Sequence, residues 1–142
     1  MANLDLQQIR DDLAFLDDWE DRYRYIIDLG KTLEPLSDAE YTEENKVRGC
    51  ASQVWLVHRA EREGDSQPRL LYRGDSDAHI VKGLVALVLA LFSGKTADAI
   101  LSTDAQAFFA QIGLKSHLTQ QRSNGLASMV ETIKADARRL AG

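Results

Sequence analysis

Ser52-Gln53-Val54-Trp55-Leu56-Val57-His58 and Arg69-Leu70-Leu71-Tyr72-Arg73 decide the fold class, as the two strand candidates in a chain that otherwise reads as helix and loop. The first is rich in residues that suit a pleated, half-buried surface. Gly64-Asp65 between them marks a hairpin whose connection is longer than a tight turn. Upstream, Leu6, Ile9, Leu13 and Leu16 recur at helical spacing and predict an amphipathic helix over 4–16. Asp17, with Glu20 three residues on, fits a variant capping box. It opens a second helix with Trp19, Tyr23, Ile26, Ile27 and Leu33 on its apolar side and Pro35 just past its end. Residues 34–51 are polar and read as a long irregular loop, a length that in a small domain is often functional.

Downstream of the hairpin, Gly74-Asp75-Ser76-Asp77 reads as a turn that offers several N-cap oxygens to a helix over 78–92, which Gly94 can close. The apolar run Leu84–Phe92, extended back to Ile80, spans 13 residues with Lys82 included. A bilayer-spanning helix needs about 20, so this one reads as a buried core helix. Thr96 and Thr103 are candidate caps for short helices near 96–101 and 104–112. A last helix over 120–140 buries Leu126, Met129, Val130 and Ile133. Helices, then a hairpin, then helices make an α+β fold, a small antiparallel sheet packed against several helices. With 142 residues and no internal repeat, one domain over 1–142 is expected.

Composition narrows the function. Two prolines and nine glycines exclude collagen-like and linker sequences. A single cysteine excludes an internal disulfide and any cysteine-rich zinc or iron–sulfur site. The net charge of −5 argues against a nucleic-acid binder. Residues 1–45 hold 13 acidic and 4 basic side chains, whereas residues 46–142 hold 9 and 13. That asymmetry reads first as a solvated acidic helical face and second as a surface that steers a charged partner. Met1-Ala2-Asn3-Leu4-Asp5 has neither a basic stretch nor an apolar one, so no export signal is expected. With one unpaired thiol, the cytoplasm is the expected compartment, without membrane attachment.

Cys50 is the first chemical candidate. A lone cysteine is ordinarily a small buried hydrophobe. This one follows Gly49, which permits unusual backbone and close approach, and sits at a loop–strand junction rather than on a periodic apolar face. Arg48 and Lys46 nearby favour a thiolate if they are also near in space. His58, His79 and His117 offer a base for a cysteine nucleophile, but no spacing places any of them beside Cys50, and structural histidines are the better reading. Asp75 and Asp77 are a carboxylate pair that serves acid–base chemistry or simply a turn. Arg122-Ser123-Asn124-Gly125 opens the last helix with two poor helix formers, and its arginine can pair with an anion or a thiolate. Trp55 and Trp19 read as core, Trp19 alternatively as a cap. There is no glycine-rich phosphate loop and no lysine in a pyridoxal-phosphate context, so no cofactor is expected.

Val47-Arg48-Gly49-Cys50-Ala51-Ser52-Gln53-Val54-Trp55-Leu56 resembles the cysteine-loop motif of the SufE/CsdE sulfur-acceptor proteins. Gly74-Asp75-Ser76-Asp77 with Ile80-Val81-Lys82-Gly83-Leu84 resembles the family's second block. His117-Leu118-Thr119 with Arg122-Ser123-Asn124-Gly125-Leu126 resembles the third, and Tyr25-Ile26-Ile27-Asp28-Leu29-Gly30 the helix before the cysteine loop. Four blocks in order, from about residue 19 to 133, are more specific than any one of them. One departure is Gln120, where the family has proline after the threonine of the third block.

The resemblance implies an α+β fold related to the IscU-type scaffold proteins. It implies a partner, a pyridoxal-phosphate cysteine desulfurase of SufS or CsdA type, whose persulfide sulfur passes to Cys50 and on toward an iron–sulfur scaffold. The acceptor stimulates the desulfurase and is not a stand-alone enzyme. Ser52-Gln53-Val54-Trp55 favours the SufE branch. Asp75, Arg122 and Gly49 are carried over as supporting residues, with Arg122 either pairing with Asp75 to pin the loop or facing the thiolate. Cys50 is expected to be shielded until docking. The alternatives are an adaptor that binds and regulates the desulfurase without accepting sulfur, an iron–sulfur scaffold, which one thiolate serves poorly, and a Cys/His hydrolase.

Overall fold

The apolar run from Ile80 to Phe92 lies at the centre of the fold, a computed structural model that describes residues 5–141. In chain order the elements are α1 (Leu6–Phe15), α2 (Trp19–Gly30), a 3-10 turn (Asp38–Glu40), β1 (Val54–Glu61), β2 (Arg69–Ser76), α3 (His79–Phe92), β3 (Lys95–Thr96), α4 (Ala97–Ser102), α5 (Ala105–Gln111), a second 3-10 turn (Lys115–His117) and α6 (Gln120–Ala141). The sheet is antiparallel in the order β1-β2-β3, with Val54 opposite Ser76 and Glu61 opposite Arg69. The helices pack against it as the α+β reading requires, and their buried residues, from Ile9 in α1 to Ala137 in α6, form one hydrophobic cluster with those of the sheet. Position 4 and the leading residues read for an export signal lie outside the described residues. Among those described, no helix is long and apolar enough to cross a membrane.

Helix α3 is buried almost all round, as its unbroken apolar composition requires. Val85, Ala86, Leu87, Val88 and Phe92 are fully enclosed. It lies so close to α2 that glycine is obligatory on both sides. A Cβ on Gly83 would sit 2.2 Å from the carbonyl oxygen of Ile26, and one on Gly30 would sit 2.7 Å from the backbone nitrogen of Gly83. In the sequence Gly30 and Gly83 are only letters of two motifs; the contact gives their physical reason. Gly94, at φ +84°, closes α3 as expected, and its N–H donates to the Leu70 carbonyl at 2.7 Å. That bond starts β3, a strand the sequence reading lacks because two residues carry no periodicity.

Several boundaries differ for identifiable reasons. Gly74, Asp75 and Ser76 are the end of β2, not a turn. Tyr72, Gly74 and Ser76 alternate inward, and a side chain on Gly74 would meet Leu56 Cδ2 at 2.8 Å and Val85 Cγ1 at 2.9 Å. Here glycine marks close packing on α3 rather than a bend. None of these oxygens caps α3 in the ordinary way; its N-cap is Ala78, whose N–H donates to Ser76 Oγ. Asp18, not Asp17, caps α2, and α2 stops at Gly30, before Leu33. Thr96 caps α4 as expected, but Asp104, not Thr103, caps α5. Helix α6 begins at Gln120 without proline, because Thr119 Oγ1 accepts the Arg122 N–H at 3.2 Å. Trp55 is half-buried and meets the Tyr41 ring edge-on at 5.0 Å instead of joining the core.

Candidate functional site

Residues 34–51 are more ordered than an irregular loop. Ser37 and Glu40 form a capping box around the 3-10 turn, and Asn45–Val47 run antiparallel to the start of β1. Val47 N–H donates to Val54 O at 2.8 Å and Leu56 N–H to Asn45 O at 2.9 Å. The far side of the tip is tied by Asp77, whose carboxylate accepts from Gln53 N–H at 3.0 Å and Gln53 Nε2 at 3.2 Å. Between these two ties stand Arg48, Gly49, Cys50, Ala51 and Ser52. The stretch is a short tip on a fixed base, and Cys50 is part of it.

Gly49 has φ +88°, the left-handed region that favours glycine, and a Cβ there would also lie 2.6 Å from Ser128 Oγ. This turn sends Cys50 inward toward α6. Its thiol is half-buried, and Sγ lies 3.6 Å from the Gly125 carbonyl oxygen, to which the S–H donates. A Cβ on Gly125 would stand 3.4 Å from Sγ, so the absent side chain leaves the thiol its space. Beneath the tip is a cavity of about 220 Å³, lined by Cys50, Val81, Leu84, Arg122, Leu126 and Met129 among others. A second hollow of about 330 Å³ lies on the outer side of the same tip, bordered by Glu43, Lys46 and Arg48.

Burial pushes the Cys50 thiol above its ordinary pKa. The suggestion that Lys46 and Arg48 hold a thiolate is therefore corrected: Lys46 is paired with Glu43 at 3.3 Å and Arg48 is exposed. Iodoacetamide should then label Cys50 of the free protein more slowly than a small thiol near neutral pH, with a rate still climbing above about pH 9.5, where an ordinary cysteine, half ionised near pH 8.5, has nearly levelled off. Equal rates would rule out a protonated, shielded thiol.

Of the supporting residues, Arg122 shares the cavity with Cys50, and Gly49 sets the thiol's direction. Asp75 is not among the lining residues. The suggested Arg122–Asp75 pair is not made. Arg122 Nη1 donates to Tyr23 Oη at 2.6 Å, while Asp75 accepts from Tyr41 Oη at 2.5 Å and Ser76 N–H at 2.8 Å and pairs with Lys82 at 3.3 Å. Asp75 instead fastens Tyr41, at the base of the cysteine loop, to β2. Burial opposes its ionisation, but the bonds from Tyr41, Ser76 and Lys82 outweigh burial and hold the carboxyl below its usual range.

A depressed carboxyl stabilises the fold above its unfolded pKa of about 3.9 and loses that contribution as pH falls through the lower folded value. Stabilities of wild type and Tyr41→Phe, from urea unfolding followed by tryptophan fluorescence, should accordingly differ near neutral pH and converge below about pH 4. A difference that does not change with pH would refute the fastening role.

Sequence reading does not single out Tyr23 or Tyr41. Tyr23 lies on the apolar side of its helix, where a phenol looks like core, and Tyr41 stands in a stretch without periodicity. The histidines do not assemble on the thiol: among the described residues none lines the cavity. His58 faces Asp136 at 3.4 Å, His117 stacks on Trp19 with centroids 3.6 Å apart, and His79 is exposed at the start of α3. Among the described residues no three His, Cys, Asp or Glu side chains gather as metal ligands.

The fold and the site together define a small α+β protein organised around one loop cysteine. A family model described as "SufE: Fe-S metabolism associated domain" matches residues 7–137, and the chain belongs to that family. It is 58% identical over 132 residues to an uncharacterised SufE-like protein of Rhizobium meliloti (strain 1021), covering 93% of this chain and 94% of the relative. It is 56% identical over 138 residues to an uncharacterised SufE-like protein of Rhizobium etli, covering 97% and 91%. The solution structure of a hypothetical protein from Thermus thermophilus superposes with a TM-score of 0.70 at 22% identity, over 99% of this chain and 98% of that one, and shares the fold. The chain thus has the family's general role in sulfur and iron–sulfur metabolism.

Proposed function

We propose that this protein accepts sulfur from a cysteine desulfurase on Cys50 and carries it toward an iron–sulfur scaffold. The observation that carries the reading is the position of Cys50, the chain's one thiol, at the tip of a loop and lining a cavity with room beside its sulfur. The desulfurase presents an enzyme-bound persulfide. Cys50 loses its proton, and its sulfur attacks the terminal sulfur of that persulfide. One S–S bond forms on Cys50 as the other breaks, and the desulfurase cysteine leaves as a thiolate that takes up the proton. There is no net oxidation or reduction, as in thiol–disulfide exchange. Clearing the persulfide frees the desulfurase for another turnover, which accounts for stimulation. Since the resting thiol is protonated and turned inward, docking has to turn the tip outward and favour the thiolate. The compartment this implies is the cytoplasm, where an unpaired thiol stays reduced.

The test is intact mass of the protein after incubation with a pyridoxal-phosphate cysteine desulfurase and cysteine. A gain of one or more sulfur atoms, removed by reductant, is expected. No gain despite binding would favour the second reading, a docking adaptor, for which the half-buried, protonated thiol is the supporting observation.

A further inference from the structure

Arg122 is fastened in an unusual way. It lines the Cys50 cavity and its base is fixed at the first turn of α6, yet among the described residues its guanidinium meets the Tyr23 hydroxyl and no carboxylate. Arginines are almost never fully buried unless paired, and a carboxylate is the usual partner of a guanidinium. A carboxylate would hold the side chain equally well but would cancel its charge. A phenol holds it and leaves the charge available.

We propose that Tyr23 is a positioning residue that holds the Arg122 guanidinium, uncompensated, where the outer sulfur of a Cys50 persulfide comes to rest. This rests on the sulfur-acceptor reading and extends it to a residue 27 positions before the cysteine. The outer sulfur stands about 2 Å beyond Sγ, and the cavity that Cys50 and Arg122 both line offers space for it. The resting thiol is raised by burial alone, with no lowering contribution from Arg122. Within the cavity Arg122 is the ionisable neighbour of Cys50 among the lining residues, while Glu43, Lys46 and Arg48 border the second hollow, which Cys50 also lines.

The experiment loads Cys50 with inorganic polysulfide, so that it does not depend on a desulfurase. The Cys50 thiolate attacks a polysulfide sulfur, one S–S bond replaces another, and a polysulfide shorter by one sulfur leaves. Iodoacetamide labelling is then followed against pH by intact mass, which separates thiol and persulfide adducts. Wild type, Tyr23→Phe, Arg122→Ala and the double variant are compared. A nearby opposite charge lowers an acid's pKa by about one unit or more, so Arg122→Ala should move the persulfide midpoint up by about one pH unit. Tyr23→Phe should move it by about half a unit and add nothing in the Arg122→Ala background. The thiol midpoint should stay put in all four.

A persulfide midpoint unchanged in Tyr23→Phe, an additive double variant, or equal shifts for thiol and persulfide would each overturn the proposal. So would a wild-type thiol that polysulfide cannot load, because the cavity would then not admit a second sulfur. A failure to take sulfur from the desulfurase, with polysulfide loading and its pH shifts intact, would instead count against the acceptor function alone.

Discussion

Gly83→Ala should lower the melting temperature by roughly 5–10 °C, against the usual direction for glycine in a helix. Replacing an interior helical glycine by alanine ordinarily stabilises by about 1 kcal/mol. Gly83 is in the interior of α3, so propensity alone forecasts a gain. The added Cβ, however, would lie 2.2 Å from the Ile26 carbonyl oxygen and 2.7 Å from its carbon. These are backbone atoms of α2, and no rotamer change relieves them. The two helices must separate, which strips contact from Ile26, Leu29, Leu84 and Leu87, all buried at the same crossing region or next to it on these helices. Overpacking of this kind costs about 1–3 kcal/mol and more when backbone has to move; a 2.2 Å contact between two backbones takes the upper end, which exceeds the propensity gain by about 2 kcal/mol. For a domain of this size each kcal/mol is worth about 3–4 °C.

Thermal unfolding with Gly64→Ala in parallel separates the causes. Gly64 has φ +58° but nothing within 4 Å of its would-be Cβ, so it carries conformational strain without collision, costs about 1 kcal/mol, and should drop less. A Gly83→Ala protein as stable as wild type would mean that α2 and α3 are not in this close contact. Because the α2–α3 crossing also fixes the helix that carries Tyr23, such a result would weaken the site geometry as well.

What the sequence revealed and what it hid follow one physical division. Features written in periodicity were readable: the buried α3, the inward face of α6 at Leu126, Met129, Val130 and Ile133, and the hairpin that makes the fold α+β. Features written in close approach were not. Gly74 looked like a turn residue because glycine lowers strand propensity, yet it is in β2 because Val85 leaves no room for a side chain. The same holds at the site. Cys50, Gly49, Asp75 and Arg122 stood out as residues; Cys50 and Arg122 line one cavity, and Asp75 does not. Their partners did not, since Tyr23 lies 99 positions from Arg122 and Tyr41 lies 34 from Asp75. Sequence supplied two charged groups of opposite sign and suggested that they meet. The structure gives each a tyrosine instead, and Asp75 takes Lys82 as its cation.

On the proposed acceptor function, Cys50→Ser should abolish sulfur uptake while leaving both the fold and desulfurase binding in place. The substitution changes one atom on a half-buried side chain. A hydroxyl can keep the single bond to the Gly125 carbonyl, and a change this small away from the core centre falls within about 1 kcal/mol. The chemistry does not survive it. Sulfur transfer requires a nucleophile that can ionise and that can later leave from sulfur, and a thiol does both near neutral pH once docking favours its thiolate. An alkyl hydroxyl does neither, and no other thiol in the chain can substitute. Sulfur incorporation measured by intact mass should therefore fall to background.

The decisive comparison is turnover of the desulfurase itself. If the protein acts by removing sulfur, Cys50→Ser should bind at about the wild-type affinity and give no stimulation. If it acts as an adaptor, Cys50→Ser should bind and stimulate as wild type does, which would sink the acceptor reading.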